Sequence, residues 1–260
     1  MLDAPPCKTV ISRTLVLEDV IYIDAREGLS ADMVLAASIG LLPPGDVKEV
    51  LGRISLTADV FDTAFHWTDI EEDGEKGLAL SYVTRQQPLG TTSHDEAFSS
   101  LSRMSSELGS RGDIARRILD KIFEAESTAH GLPPEQVHLH EIGRPQALLN
   151  IAGIGLVAPM ISAPGEVVKC STITTGRGVT VTSHGTMRIP APAAAFLLKG
   201  IVHVPGDHPG ERATPTGVAA VSVLATEQSD TRPDRPSARS VGFGTKRFAG
   251  RLGRIVMMRA

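Results

Sequence analysis

The feature that most narrows the fold is the succession of residues from 20 to 39. A continuous apolar run, Val20-Ile21-Tyr22-Ile23, ends at Asp24, and the loop Ala25 to Leu29 then leads to Ser30, a natural N-cap. The helix it opens carries Asp32, Met33, Leu35, Ala36 and Ile39, and Gly40 with Pro43-Pro44 reads as its stop. A buried strand passing through a short turn into a capped helix is the beginning of an α/β unit. Further strands are expected at Ile54 to Phe61 and Leu78 to Val83, separated by an acidic turn at Asp69 to Asp73, as a hairpin or as sheet neighbours.

The alternation continues along the chain. Phe98, Leu101, Met104 and Leu108 stand at helical spacing, and a second helix runs from Asp113 through Ile114, Ile118, Ile122 and Ala125 to Gly131 and Pro133-Pro134. Residues 146–162 read as a buried helix. Short β-rich runs follow at Val167 to Thr174, Val179 to Thr182 and Ile201 to Val204, with helices at Pro192 to Lys199 and Pro215 to Thr226. Thr214 and Pro215 suit the N-cap and N1 positions of the last helix. Glu227 to Ser240 reads as a surface loop, Val241 to Gly244 as a turn, and Arg254 to Met258 as the final strand. The fold class that accommodates this order is α/β, a mixed sheet with packed helices. Residues 1–19 read as a leader, and 20–260 as one α/β domain or two closely packed lobes with a polar connection near 86–112.

Composition excludes several functions. A net charge of −4 and only 4% aromatic residues argue against nucleic acid, which needs basic surface and stacking platforms. Two cysteines, Cys7 and Cys170, form no disulfide framework, so a reducing, cytoplasmic setting is the simpler expectation. No apolar stretch approaches the ~18 residues of a membrane span.

The segment richest in chemistry is His138-Leu139-His140-Glu141-Ile142-Gly143. In extended backbone, side chains at i and i+2 share a face, so His138 and His140 can grip one ion together, with Glu141 adjacent. Imidazole suits nickel, zinc, iron and copper. The competing reading is a buried or solvated histidine pair with no ion. Asp24 and Asp32 flank a helix start where carboxylates cap or bind metal, and His184, between Ser183 and Gly185, is a further candidate ligand. Arg177 and Arg188 are candidate phosphate partners. Ser30 and the run Thr214-Pro215-Thr216-Gly217 place hydroxyls and amides at helix starts, where anions bind. A Walker A loop, a nucleophile elbow and a full dinucleotide fingerprint are all missing.

In order and content these segments resemble the LarC family, the nickel insertion proteins of nickel-pincer cofactor synthesis. The resemblance rests on YIDAREGLSADM at 22–33, AESTAHG at 125–131, VHLHEIG at 137–143, TTGRGVTVTSHGTMRIPAPAAAFLLKG at 174–200 and ATPTGVAA at 213–220. It implies that the substrate is pyridinium-3,5-bisthiocarboxylic acid mononucleotide and that the chain is a cytoplasmic, lyase-class chelatase that inserts nickel into it. On this reading His138, His140, Glu141 and His184 handle the metal, and Glu141, Asp24 and Asp32 are the candidate catalytic carboxylates. Ser30, Thr214, Thr216 and Gly217 would receive the nucleotide's phosphate. Where family members carry two acidic residues after the HEVG segment, this chain has Gln146 and Asn150, whose amide oxygens are weaker ligands and no bases. The family's C-terminal region, associated with nucleotide binding, would begin where this sequence stops. CTP with Mg or Mn is therefore expected only with a separately encoded C-terminal subunit, and a homo-oligomer stays open. The alternative within the family is a non-catalytic nickel or cofactor carrier; a generic metal-dependent hydrolase using Asp24, Asp32 and Glu141 is a third reading.

Overall fold

The computed structural model describes residues 20–85, 90–110, 112–182 and 185–260, so the expected leader and His184 lie outside the described residues. Its centre is a seven-stranded mixed sheet. In chain order the strands are β1 (Val20–Asp24), β2 (Thr63–Glu72), β3 (Glu75–Thr84), β4 (Val167–Cys170), β5 (Glu227–Gln228), β6 (Ala238–Phe248) and β7 (Arg251–Arg259). Across the sheet they stand in the order β5-β4-β1-β7-β6-β3-β2. β1, β4 and β5 run parallel, β7 is antiparallel to β1 and β6, and β2–β3 is an antiparallel hairpin joined to β6 through parallel pairing of β3. This is the mixed α/β sheet with packed helices that the sequence predicts.

Seven helices are described: α1 (Ala31–Gly40), α2 (Pro44–Val60), α3 (His94–Glu107), α4 (Ile114–His130), α5 (Pro145–Ile161), α6 (Pro192–Leu197) and α7 (Pro215–Leu224). α1 and α5 are apolar on nearly all sides because both lie inside the molecule, α1 between the sheet and the other helices. That burial is the main stabilising contribution, at roughly 25 cal/mol per Å² of apolar surface removed from water.

Four expectations are corrected. Ile54 to Phe61 is not a strand but the second half of α2, where Val50, Leu51, Ile54, Thr57 and Ala58 form a buried helical stripe. Pro44 does not merely end the first helix; it occupies the first turn of the next, where a missing N–H costs nothing. The hairpin partner of β3 is therefore Thr63–Glu72, turning at Asp73-Gly74. Third, Val241 to Gly244 is not a turn but the buried centre of β6. A Cβ on Gly242 would stand 2.1 Å from the Met33 carbonyl oxygen, so the glycine is there to let α1 lie directly on the strand. The run Glu227 to Ser240 is a loop only in its middle, because β5 and the start of β6 take its ends.

Candidate active site

The HLHE corner is positioned by a two-residue antiparallel ladder in which Thr92 pairs with Leu139 and Ser93 with His138. Ser93 also caps α3 in a reciprocal capping box with Glu96. The Ser93 amide and hydroxyl, with the charge of His138, hold the Glu96 carboxyl below its usual range. In the ladder His138 is exposed and Leu139 buried, as alternation demands, and the half-buried His140 returns to the same side. His138, His140 and Glu141 all line a cavity of about 380 Å³.

The opposite wall is the start of α7. Thr214 is its N-cap, with Pro215 in the first turn, and Thr214 Oγ1 accepts from the Gly217 amide at 3.2 Å and lies 3.1 Å from Thr216 Oγ1. Thr214 and Thr216 line the cavity; Gly217 serves the backbone instead, because a Cβ there would come within 2.6 Å of Ser30 Cα. That close approach, with Leu29 donating to Arg212 O at 2.7 Å and Thr214 donating to Leu29 O at 2.8 Å, locks the starts of α1 and α7 side by side.

A smaller adjoining cavity of about 100 Å³ is lined by Ser30 and Asp32 and shares Glu211, Thr214 and Lys246 with the first. Burial pushes the Asp32 carboxyl up, against the opposing pull of the Ser30 hydroxyl, the first-turn amides of Asp32 and Met33, and Lys246. Burial also raises Glu211, opposed by Lys246 at 3.8 Å and reinforced by the charge of Glu141. Glu211, whose carboxyl burial raises, and the Lys246 ammonium thus line both cavities, with the raised carboxyl of Asp32 in the smaller one. α4 adds His130 and Glu126, 3.5 Å apart, to the larger one. Among the described residues, no group of three or more His, Cys, Asp or Glu side chains is arranged to hold a metal ion.

Asp24 lies elsewhere. It is buried at the end of β1, where Arg26 donates to both of its oxygens, at 2.8 and 2.5 Å, and Arg232 approaches to 3.8 Å. Burial alone would raise its carboxyl, but the Arg26 hydrogen bonds and charge outweigh that and hold it low. Arg177 donates to the Asp207 carbonyl. Gln146 Oε1 accepts from Thr84 Oγ1 at 3.2 Å and Asn150 Oδ1 from the Tyr82 hydroxyl at 2.8 Å, so both amides are engaged by β3.

A family model described as nickel insertion protein matches residues 21–258. The chain belongs to the nickel insertion protein family. A relative from Geotalea daltonii, named "Putative nickel insertion protein", is 33% identical over 235 residues, covering 88% of this chain and 58% of its own. One from a Thermotoga species, named "Pyridinium-3,5-bisthiocarboxylic acid mononucleotide nickel insertion protein", is 31% identical over 228 residues, covering 80% and 53%. The chain thus spans just over half the length of the curated relatives it matches. No solved structure matches it. Among the described residues of this nickel insertion family member, no helix is long and apolar enough to cross a membrane.

Sequence reasoning missed Glu211, Lys246 and the Glu126–His130 pair. The last had a signal: an acid and a histidine at i, i+4 near a helix C-terminus face the same way. Glu211 and Lys246 had none, because only the pairing of distant segments brings them to the cavity.

Proposed function

We propose that the paired cavities take the pyridinium bisthiocarboxylate mononucleotide and present it to nickel, with nickel as cargo rather than resident cofactor. The single observation behind this is that the HLHE corner and the α7 start line one cavity. His138, His140 and Glu141, with His184, receive the ion. The hydroxyls of Ser30, Thr214 and Thr216 and the free first-turn amide of α7 take the phosphate. Asp32 and Glu211 hold and release the protons that a ligand exchanges when it binds a metal. On this reading the insertion reaction takes place in the cytoplasm and draws on CTP and Mg or Mn.

A second reading, a nickel or cofactor carrier that does not catalyse insertion, is favoured by the amides Gln146 and Asn150, which are bound to Thr84 and Tyr82. Calorimetric titration with nickel, with and without the mononucleotide, tests both. Nickel affinity should fall at least tenfold in the double variant His138→Ala/His140→Ala; unchanged affinity would sink the ligand assignment. Nickel recovered on the mononucleotide after separation from the protein supports insertion, and nickel retained only on the protein supports the carrier.

A further inference from the structure

A second cavity, of about 520 Å³, lies between α4, α6, α7 and the ends of β4 and β5, and has no lining residue in common with the candidate active site. Its floor is apolar: Ile173, Leu197 and Val221 are buried, and Phe196 and Ile201 half-buried. The polar groups along its wall are already satisfied within the protein. Ser222 Oγ donates to Ala219 O at 2.8 Å, and Thr226 Oγ1 donates to Val168 O at 3.1 Å. The Gln228 side chain accepts from Val202 N at 2.7 Å and donates to Val202 O at 3.1 Å. Burial pushes the Cys170 thiol up to about 12, which keeps it neutral.

The charges at the rim are matched with one exception. Glu124 is paired with Lys121 at 2.8 Å and Glu227 with Lys169 at 2.8 Å. The Lys199 ammonium lies 4.6 Å from the centre of the Phe196 ring and, among the described residues, meets no carboxylate within ion-pair distance. A cavity of this volume is in the range of small-molecule sites. Among the described residues, the side-chain donors of Ser222, Thr226 and Gln228 are already used within the protein, so a polar ligand body would regain few of the hydrogen bonds it makes to water. One unmatched cation at the lip selects one negative group.

We infer that this cavity binds a small apolar monocarboxylate. The hydrocarbon body fills the space over Phe196, Leu197 and Val221, and the carboxylate pairs with Lys199. The nickel reading plays no part in this inference.

The test is competition on the full chain, with the fluorescent aromatic monoanion 1-anilinonaphthalene-8-sulfonate as probe and decanoate or decylamine as competitor. Decanoate should displace the dye and decylamine should not. Lys199→Gln, an exposed change that leaves folding intact, should weaken decanoate about threefold, the scale of a solvent-exposed ion pair. Ala225→Phe or Ser222→Leu, each filling the cavity, should weaken it more than tenfold at an unchanged circular dichroism spectrum. Decanoate affinity should be unaltered in His138→Ala/His140→Ala. Equal displacement by decylamine, full affinity in folded cavity-filling variants, or loss of affinity in the histidine variant would each overturn the assignment.

Discussion

The Tyr82 hydroxyl donates a 2.8 Å hydrogen bond to Asn150 Oδ1, joining β3 to the buried face of α5. Tyr82 is pushed far above the ordinary phenol range by burial and by the charge of Asp32, so it stays a neutral donor. The pair thus lies within electrostatic reach of Asp32, which lines the smaller cavity.

Replacing this amide with a carboxylate places a charge where Asn150 is 8% exposed and Asp32 is already acidic. Asn150→Asp should lose about 1–3 kcal/mol of stability at pH 7, the scale of a poorly solvated polar group. Burial raises such a carboxyl, so it takes up its proton as pH falls and the loss should shrink toward pH 5. Urea unfolding at the two pH values checks this; an equal loss at both would refute the electrostatic account.

Asp32 gives the opposite sign. Its folded-state carboxyl is raised, so ionising it opposes folding, and that opposition is complete only above the folded-state value. Asp32→Asn should therefore melt higher than the parent at pH 8, with the gap closing toward pH 4. A group kept at a stability cost is what a working site contains. A variant that melts lower at pH 8 would show that Asp32 serves the helix start alone.

Asp24 is held low, and its contribution is complete above the ordinary carboxyl range and lost as pH falls through the depressed value. Asp24→Asn should destabilise by about 1–3 kcal/mol, discounted from a fully buried pair because Arg26 is 44% exposed. The deficit should be constant from about pH 5 to 8 and shrink below about pH 4, near the ordinary aspartate value. Melting curves across that range measure it. A full effect on nickel binding with none on stability would instead return Asp24 to the site.

A Cys7→Ser variant leaves Cys170, buried and with its thiol pushed up to about 12 by burial and by Asp24 and Asp230. Thiolate is the reactive species, so Cys170 should react with Ellman's reagent at least about 100-fold more slowly in native buffer than in urea. Comparable rates would mean that the floor of the second cavity opens readily.

Local rules made part of this legible. Thr214-Pro215 announces a helix start because cap and first turn are neighbours in sequence, and the i, i+2 logic at His138 and His140 is equally local. Ile54 to Phe61 misleads because its β-branched and aromatic residues suit a strand, whereas the helical stripe is visible only from Val47 onward. The Val241 to Gly244 segment looks like a turn because its glycines are explained by α1, a partner more than two hundred residues earlier. Glu211 and Lys246 belong to the same class, since tertiary pairing alone gives them neighbours.

The lock between the starts of α1 and α7 has a consequence for how the site comes into being. The walls of the two cavities come from residues 30–33, 138–142 and 211–216, with Lys246 arriving later along the chain. No fragment contains the whole, and contacts of such long sequence separation form only when the chain has largely condensed. Ligand binding is then an assay of completed folding. A proteolytic nick between any two of these segments should abolish it outright rather than weaken it by degrees.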